Sequence, residues 1–101
     1  MNTVTTAPNA ATEALLLELL ECVSGQPTLD SDDLADLMTE KADFPNVEDG
    51  STTYGTISVV LKTSLGRDLR GDLTRVIHAT VSLNRRGTTE TVTAKAFESY
   101  A

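Results

Sequence analysis

The residues of this chain that could carry chemistry are a single histidine and a set of basic and hydroxyl-bearing side chains. His78 could act as a general base or a metal ligand, but either role requires other ligands or carboxylates that converge on it. The nearest carboxylates in the sequence, Asp72 and Glu90, are not its expected cross-strand neighbours, whereas Lys95 is. The six glycines match neither a phosphate-binding loop nor a dinucleotide-binding fingerprint. The sequence therefore predicts no catalytic residue, no metal site, no cofactor and no enzymatic activity.

Basic and hydroxyl side chains in the second half of the chain are instead candidates for contact with a partner. Proteins that bind RNA on a sheet combine basic residues with several stacking aromatic rings, and only Phe97 is expected on the relevant face here. Nucleic acid is therefore the alternative partner, and a protein is the preferred one. The candidate contact residues are Lys62, Arg67, Arg70, His78, Thr80, Arg85, Arg86, Thr91, Thr93 and Lys95.

These candidates are positioned by a β-hairpin, which is predicted by two runs that alternate apolar with polar residues, Thr74–Leu83 and Thr88–Phe97. A slip of one residue would exchange the two faces, so burial selects the register. The favoured register pairs Ile77 with Ala96, Ala79 with Ala94 and Val81 with Val92. It requires a loop of two or four residues, either Arg86-Gly87 or Arg85 to Thr88. The other face then carries Val76, His78, Thr80 and Ser82 beside Thr91, Thr93, Lys95 and Phe97.

The elements that precede the hairpin are two helices and one further strand. Strong helix formers over Ala10–Val23 place four apolar residues on one stripe, and further leucines, Leu15 and Leu17, widen the apolar surface toward a second element or a partner. Ser31 is the expected cap of a second helix that ends near Ala42, after a connector at residues 26–29. The run from Tyr54 to Leu65 alternates as one half-buried strand, with Ile57, Val59, Leu61 and Leu65 pointing inward.

The expected fold is α+β, with two N-terminal helices packed on a three-stranded antiparallel β-meander in the order ααβββ. Residues 1–9 are expected to form a flexible N-terminal arm, and residues 10–101 a single α+β domain. A rival interpretation makes Thr52 to Leu65 the recognition helix of a winged-helix regulator. That interpretation is disfavoured because about ten residues separate the end of the second helix from Thr52, whereas the turn of a helix-turn-helix takes about 3–4 residues. The β-branched residues of this run also prefer extended backbone.

Charge is distributed unevenly along the chain. The net charge is −7, but residues 1–50 hold eleven acids and one lysine, whereas basic residues outnumber acids in residues 51–101. Opposite fields of this kind suit a charged partner or a second copy of the chain. We therefore expect a non-enzymatic interaction or assembly module, such as a structural or inhibitory accessory protein that binds itself or another protein. With no signal-peptide pattern and no long apolar run, the expected location is cytoplasmic and no membrane contact is expected.

Overall fold

The computed structural model describes residues 3–25 and 30–100, and it shows two helices on one face of an antiparallel sheet. The helices are α1 (Ala10–Ser24) and α2 (Ser31–Lys41), and two short 3-10 turns are η1 (Phe44–Asn46) and η2 (Glu98–Tyr100). The strands are β1 (Thr3–Thr6), β2 (Gly50–Tyr54), β3 (Ile57–Arg67), β4 (Leu73–Arg85) and β5 (Thr88–Phe97). The predicted connector at residues 26–29 lies outside the described residues, as do residues 1, 2 and 101 of the predicted arm and domain.

The α+β class is confirmed, but the predicted number of strands is wrong. The described residues form a sheet of five strands in the order β1-β2-β3-β4-β5, not three. One extra strand, Thr3–Thr6, comes from the segment expected to be a flexible arm and pairs with β2. The other arises because Gly55 has a φ of 61° and forms, with Thr56, a two-residue turn typical of type II′ hairpins. What was predicted as one strand from Tyr54 is therefore the end of β2, a turn and β3.

The predicted register of the C-terminal hairpin is confirmed. Ile77 lies opposite Ala96, Ala79 opposite Ala94 and Val81 opposite Val92. Arg85 pairs with Thr88, so the turn is Arg86-Gly87, the shorter of the two predicted loops. Both turn residues have positive φ, 52° and 81°, as a type I′ turn requires. The alternation of residue types was thus sufficient to predict which side chains share each face.

Side-chain caps define where the helices begin. The Asn9 side chain accepts a hydrogen bond from the Thr12 amide at 2.9 Å, which satisfies a backbone donor at the start of α1. For α2 the predicted cap was wrong, because Asp30 rather than Ser31 accepts from the Asp32 amide. Ser31 instead donates to the Thr93 carbonyl of β5 at 2.7 Å. This contact ties the start of α2 to the edge strand.

The core lies between the two helices and the inner face of the sheet. Leucines of α1 pack with apolar residues of β3, β4 and β5, and η1 contributes Phe44. The fully buried members include Leu16, Leu19, Met38, Val59, Leu61, Ile77 and Val81. Burial of one such side chain stabilises the fold by about 1.5–3 kcal/mol. Because both helices cover the inner face, the outer face of the sheet is left to solvent over most of its length.

The winged-helix alternative is wrong, because the residues it requires to be helical are strands. Thr52–Tyr54 belong to β2 and Ile57–Leu65 to β3. Leu65 also departs from expectation: it shares the inner face with Ile57, but it is 71% exposed because β3 extends past the helices. Among the described residues, no helix is long and apolar enough to cross a membrane.

Candidate interaction surfaces

A row of nitrogen-bearing side chains crosses the outer face of the sheet. Lys62 of β3 lies opposite His78 of β4, and His78 lies opposite Lys95 of β5. We call these three residues the basic row. The Lys62 ammonium is 3.8 Å from the Asp49 carboxylate, and the His78 ring nitrogen Nε2 is 3.4 Å from the Ser64 hydroxyl. The basic row therefore presents two lysines and an imidazole, with one carboxylate at its β3 end.

Hydroxyl groups continue this outer surface toward the Arg86-Gly87 turn. Thr80 lies opposite Thr93, and Ser82 lies opposite Thr91 with their hydroxyl oxygens 3.4 Å apart. None of these four side chains is fully buried. The structure thus brings six of the predicted contact residues onto one continuous face: Lys62, His78, Thr80, Thr91, Thr93 and Lys95.

The four predicted arginines do not join that face as one patch. Arg85 and Arg86 lie at the β4–β5 turn, whereas Arg67 and Arg70 lie at the opposite end of β4. A strand of 13 residues separates the two pairs by roughly 40 Å at ~3.3 Å per residue. Arg67 also donates to the Gly71 carbonyl at 2.9 Å. The two pairs therefore do not form one basic patch.

A groove of 560 Å³ separates the start of α2 from the edge of the sheet at β5. Its lining includes Asp32, His78 and Lys95 together with the Ser31 and Thr93 pair. The sequence did not show that Asp32 would share a groove with His78, because the two are brought together only when α2 docks on β5. Among the described residues, no three acidic, histidine or cysteine side chains form a cluster that could hold a metal ion. The groove can offer hydrogen bonds and charges of both signs to a polar group.

The β3–β4 hairpin extends past both helices and carries exposed leucines. Leu65, Leu69 and Leu73 are 71%, 89% and 65% exposed. We call the segment from Leu65 to Leu73 the arm; it is distinct from the N-terminal arm that was predicted for residues 1–9. Among the described residues, only two other large apolar side chains, Leu17 and Tyr54, are classed as exposed. The arm could not be predicted from the sequence, since Leu65 has the alternation of an inward residue of an ordinary strand.

The arm is held in shape by a buried carboxylate, Asp68. It accepts hydrogen bonds from the Arg70 and Asp72 amides at 2.9 and 3.0 Å and from the Ser99 hydroxyl at 2.8 Å. The Ser99 hydrogen bond, followed by the two amide bonds, holds the pKa of Asp68 below its usual value of 3.8. Ser99 also donates its amide to Thr74 at 3.2 Å. The C-terminal turn η2 therefore fastens the base of the arm.

A second carboxylate, Asp49, takes the place of a strand partner for β3 at the sheet edge next to the arm. It accepts from the Thr63 amide at 2.7 Å and from the Thr63 hydroxyl at 3.1 Å. The amide hydrogen bond is the main reason that the pKa of Asp49 is lowered from 3.8. The pairing between β2 and β3 ends at Leu61 of β3. Asp49 therefore accepts from the Thr63 amide, which would otherwise bond only to water. Beyond Thr63, β3 has no neighbour on that side among the described residues.

A shallow groove of 390 Å³ lies between α1 and the β2 end of the sheet. Its lining is Leu17, Leu20, Glu21, Ser24 and Tyr54. Leu17 is 44% exposed and Tyr54 39% exposed. We call this the α1–β2 groove. Leu17 was predicted to widen the apolar surface of the first helix; the structure places Leu15 in the core and leaves Leu17 in the groove wall.

Comparisons with known proteins give no match to this chain, whether with protein families, with curated proteins or with solved structures. Its function is therefore inferred from the geometry of its own residues.

Proposed function

We propose that this chain is a non-enzymatic interaction module that acts by self-association or by binding a protein partner. The observation that supports this proposal is the arm, where three leucines are exposed on one protruding hairpin. Small monomeric proteins seldom concentrate apolar side chains in this way, and such clusters mark contact sites with other proteins. The hydrogen bonds of Asp68 support the same proposal, because they hold the leucines in a defined arrangement before any partner binds.

Burial of the three arm leucines would offset much of the free-energy cost of association. Full burial of one leucine yields about 1.5–3 kcal/mol, and all three arm leucines expose more than half of their surface. Their combined burial would amount to roughly 3–7 kcal/mol before the cost of association is subtracted. That cost is comparable in size, so affinity depends on additional contacts. The uneven charge of the chain, with an excess of acids in residues 1–50 and an excess of basic residues in residues 51–101, can supply them for a second copy.

The first test is the mass of the purified chain in solution. Multi-angle light scattering on nuclease-treated protein over a wide range of concentration should show species heavier than the 10.8 kDa chain. A parallel sample without nuclease reports whether bound nucleic acid contributes to that mass. A constant mass of one chain at every concentration would contradict self-association and would leave binding to a different protein as the remaining form of the proposal.

Nucleic-acid binding is the second candidate function, and the basic row favours it. Lys62, His78 and Lys95 lie next to each other across three strands, with hydroxyls beside them that could bind phosphate oxygens. Two observations weigh against it: the net charge of −7 repels a polyanion, and the outer face offers few aromatic rings for base stacking.

A charge-reversal experiment tests this second candidate. Fluorescence anisotropy with a labelled single-stranded RNA at low salt should show binding that weakens as salt rises. The double variant Lys62→Glu, Lys95→Glu should abolish it. Lys41→Glu is the matched control, because Lys41 is exposed at the end of α2 and does not belong to the basic row. Because Lys41→Glu changes the net charge by half as much as the double variant, it is compared with the single variants Lys62→Glu and Lys95→Glu. Equal loss in all three would show that only total charge matters and would contradict a site on the sheet.

A further inference from the structure

The edge of β3 that faces β2 has no strand partner where β3 enters the arm. The pairing of β2 with β3 ends at Leu61, and the Asp49 carboxylate accepts from the Thr63 amide. The Thr63 amide therefore points away from β4, and every second residue of the strand presents its backbone groups to the same side. The amides and carbonyls of Leu65 and Arg67 accordingly point to this edge, where no strand of the described residues meets them. We call Leu65–Arg67 the free edge.

The free edge is complementary to a second copy of itself. When two free edges meet antiparallel about a two-fold axis at Gly66, Leu65 of each copy lies opposite Arg67 of the other. Each of the two resulting pairs exchanges both of its backbone hydrogen bonds, so the free groups of both residues are satisfied. Another antiparallel register would leave some of these groups unpaired or would place them against Thr63, whose amide already bonds to Asp49. The backbone therefore selects one register.

The same register brings exposed leucines of the arm together. By alternation along the strands, Leu65 of β3 and Leu73 of β4 lie on the inner face, beyond the helices. A two-fold axis perpendicular to the sheet keeps the inner faces of both copies on one side. Leu65 then becomes a diagonal neighbour of Leu65 in the other copy, as it already is of Leu73 in its own chain, at ~7–8 Å. The leucines form one apolar line across the joined strands.

The charge of the arm does not oppose this contact, although the whole chain carries −7. The charged residues of the arm are Arg67, Asp68, Arg70 and Asp72, so its formal charge is zero. Arg67 donates to the Gly71 carbonyl at 2.9 Å, which holds its guanidinium toward the tip of its own arm and away from the axis. Two arms can therefore meet without the repulsion that the acidic first half of the chain would produce.

We propose that two copies of this chain pair through their free edges, so that the two arms form one continuous antiparallel sheet. This inference rests on the proposed self-association and names its interface. The contact is isologous, because both copies use the same residues. Each free edge is used up when a pair forms. Assembly through this contact therefore stops at a symmetric pair.

Cysteine cross-linking tests the register. With the axis at Gly66, the Cα atoms of this residue in the two copies lie about 4.5 Å apart, within the range of a disulfide. Gly66→Cys, made together with Cys22→Ala, should therefore form a covalent pair under mild oxidation. Ser64→Cys in the same background is the matched control, because Ser64 is exposed on the same strand and face. Its two copies would lie roughly 13 Å apart along the joined strands, too far for a disulfide.

Gly66→Cys should cross-link at least about tenfold faster than Ser64→Cys. The Cβ added at Gly66 would lie 3.3 Å from the Val76 Cγ2 methyl, so circular dichroism must show that this variant keeps the fold. A second pair of variants tests the contact without that substitution.

The second pair of variants separates the backbone of the free edge from its side chain. Leu65→Pro removes an amide that faces away from β4, and proline is tolerated at the edge of a sheet. Leu65→Ala keeps the amide and removes most of the apolar side chain. Both variants should require a higher concentration to pair than the parent chain. Leu65→Pro should require at least about tenfold more than Leu65→Ala, because it also loses one hydrogen bond from each copy.

Light scattering on the parent chain should show a species of twice the 10.8 kDa chain mass and none larger. If the chain forms larger species, or if Gly66→Cys cross-links no faster than Ser64→Cys, the pairing of free edges is wrong while self-association stands. Equal effects of Leu65→Pro and Leu65→Ala would have the same meaning. If the parent chain is monomeric at every concentration, both self-association and the pairing of free edges are wrong.

Discussion

Gly50 is a point of close approach between α1 and the sheet, and its replacement by alanine is a sharp test of the packing. A Cβ added at Gly50 would lie 2.8 Å from the Thr12 Cγ2 methyl and 2.9 Å from the Thr6 carbonyl oxygen. Both distances are shorter than van der Waals contact, so α1 or β1 must move. Thr12 cannot simply turn away, because it is buried and its hydroxyl accepts a hydrogen bond from the Glu48 amide at 2.8 Å.

The expected cost follows from this overpacking. Inserting a methyl group into a well-packed site destabilises a protein by about 1–3 kcal/mol. At about 4–8 °C per kcal/mol for a domain of this size, the clash should lower the Tm of Gly50→Ala by at least about 4 °C relative to an alanine variant without a clash. Alanine also restricts the backbone conformations of the unfolded chain, which stabilises the folded protein by about 0.4–1 kcal/mol and partly offsets the clash. The measured loss is therefore the difference between the two effects.

Gly25→Ala is the matched control for that offset. Gly25 caps α1 with a φ of −92°, and the nearest atom to its added Cβ is the Glu21 carbonyl oxygen at an ordinary 3.6 Å. This variant should be as stable as the parent chain or slightly more stable. The comparison of the two alanine variants by thermal and urea unfolding isolates the clash at Gly50.

A double variant locates the clash. Thr12→Ser removes the Cγ2 methyl and keeps the hydroxyl for the Glu48 amide, so Gly50→Ala should cost less in the Thr12→Ser background than in the parent chain. The contact with the Thr6 carbonyl would remain, and the rescue should therefore be partial. Gly50→Ala with a Tm equal to that of Gly25→Ala would refute the close approach of α1 to β2.

Three further predictions concern single interactions. Thr12→Val leaves the Glu48 amide without its acceptor, so unfolding in urea should show a loss of about 1–3 kcal/mol. Folding lowers the pKa of Asp68 below 3.8, mainly through the Ser99 hydrogen bond. The contribution of Asp68 to the free energy of unfolding is therefore complete above pH 3.8, and it disappears as the pH falls through the lower pKa of the folded state. Asp68→Asn should therefore be less stable than the parent at pH 7, with a smaller difference near pH 2; a constant difference between the two pH values would contradict this. Arg86→Asn should raise the Tm by an amount that corresponds to about 0.5–1 kcal/mol, because asparagine tolerates the positive φ of 52° better; an unchanged or lower Tm would argue against the type I′ turn.

The face assigned to each strand residue could be predicted from sequence, whereas the number of strands could not. Alternation with a period of two decides which side chains of β4 and β5 share a face, and one slip would expose Ile77, Ala79 and Val81 together. Pairing of β1 with β2 has no such local signal, because both strands are short and rich in threonine. Gly55 lies within the strand predicted from Tyr54 to Leu65, but its positive φ places it in a turn.

The exposed side chains of the arm and of the α1–β2 groove could be predicted from sequence only in part. The apolar stripe of α1 was determined by helical spacing alone, and so was the surplus of leucines beyond it. Which of those leucines remains exposed depends on where β2 lies, and the tertiary structure buries Leu15 but leaves Leu17 beside Tyr54. Leu65 belongs to the inner face by alternation, yet only the length of β3 relative to the helices leaves it in solvent. Local patterns determine the direction in which a side chain points; burial depends on what distant segments place in front of it.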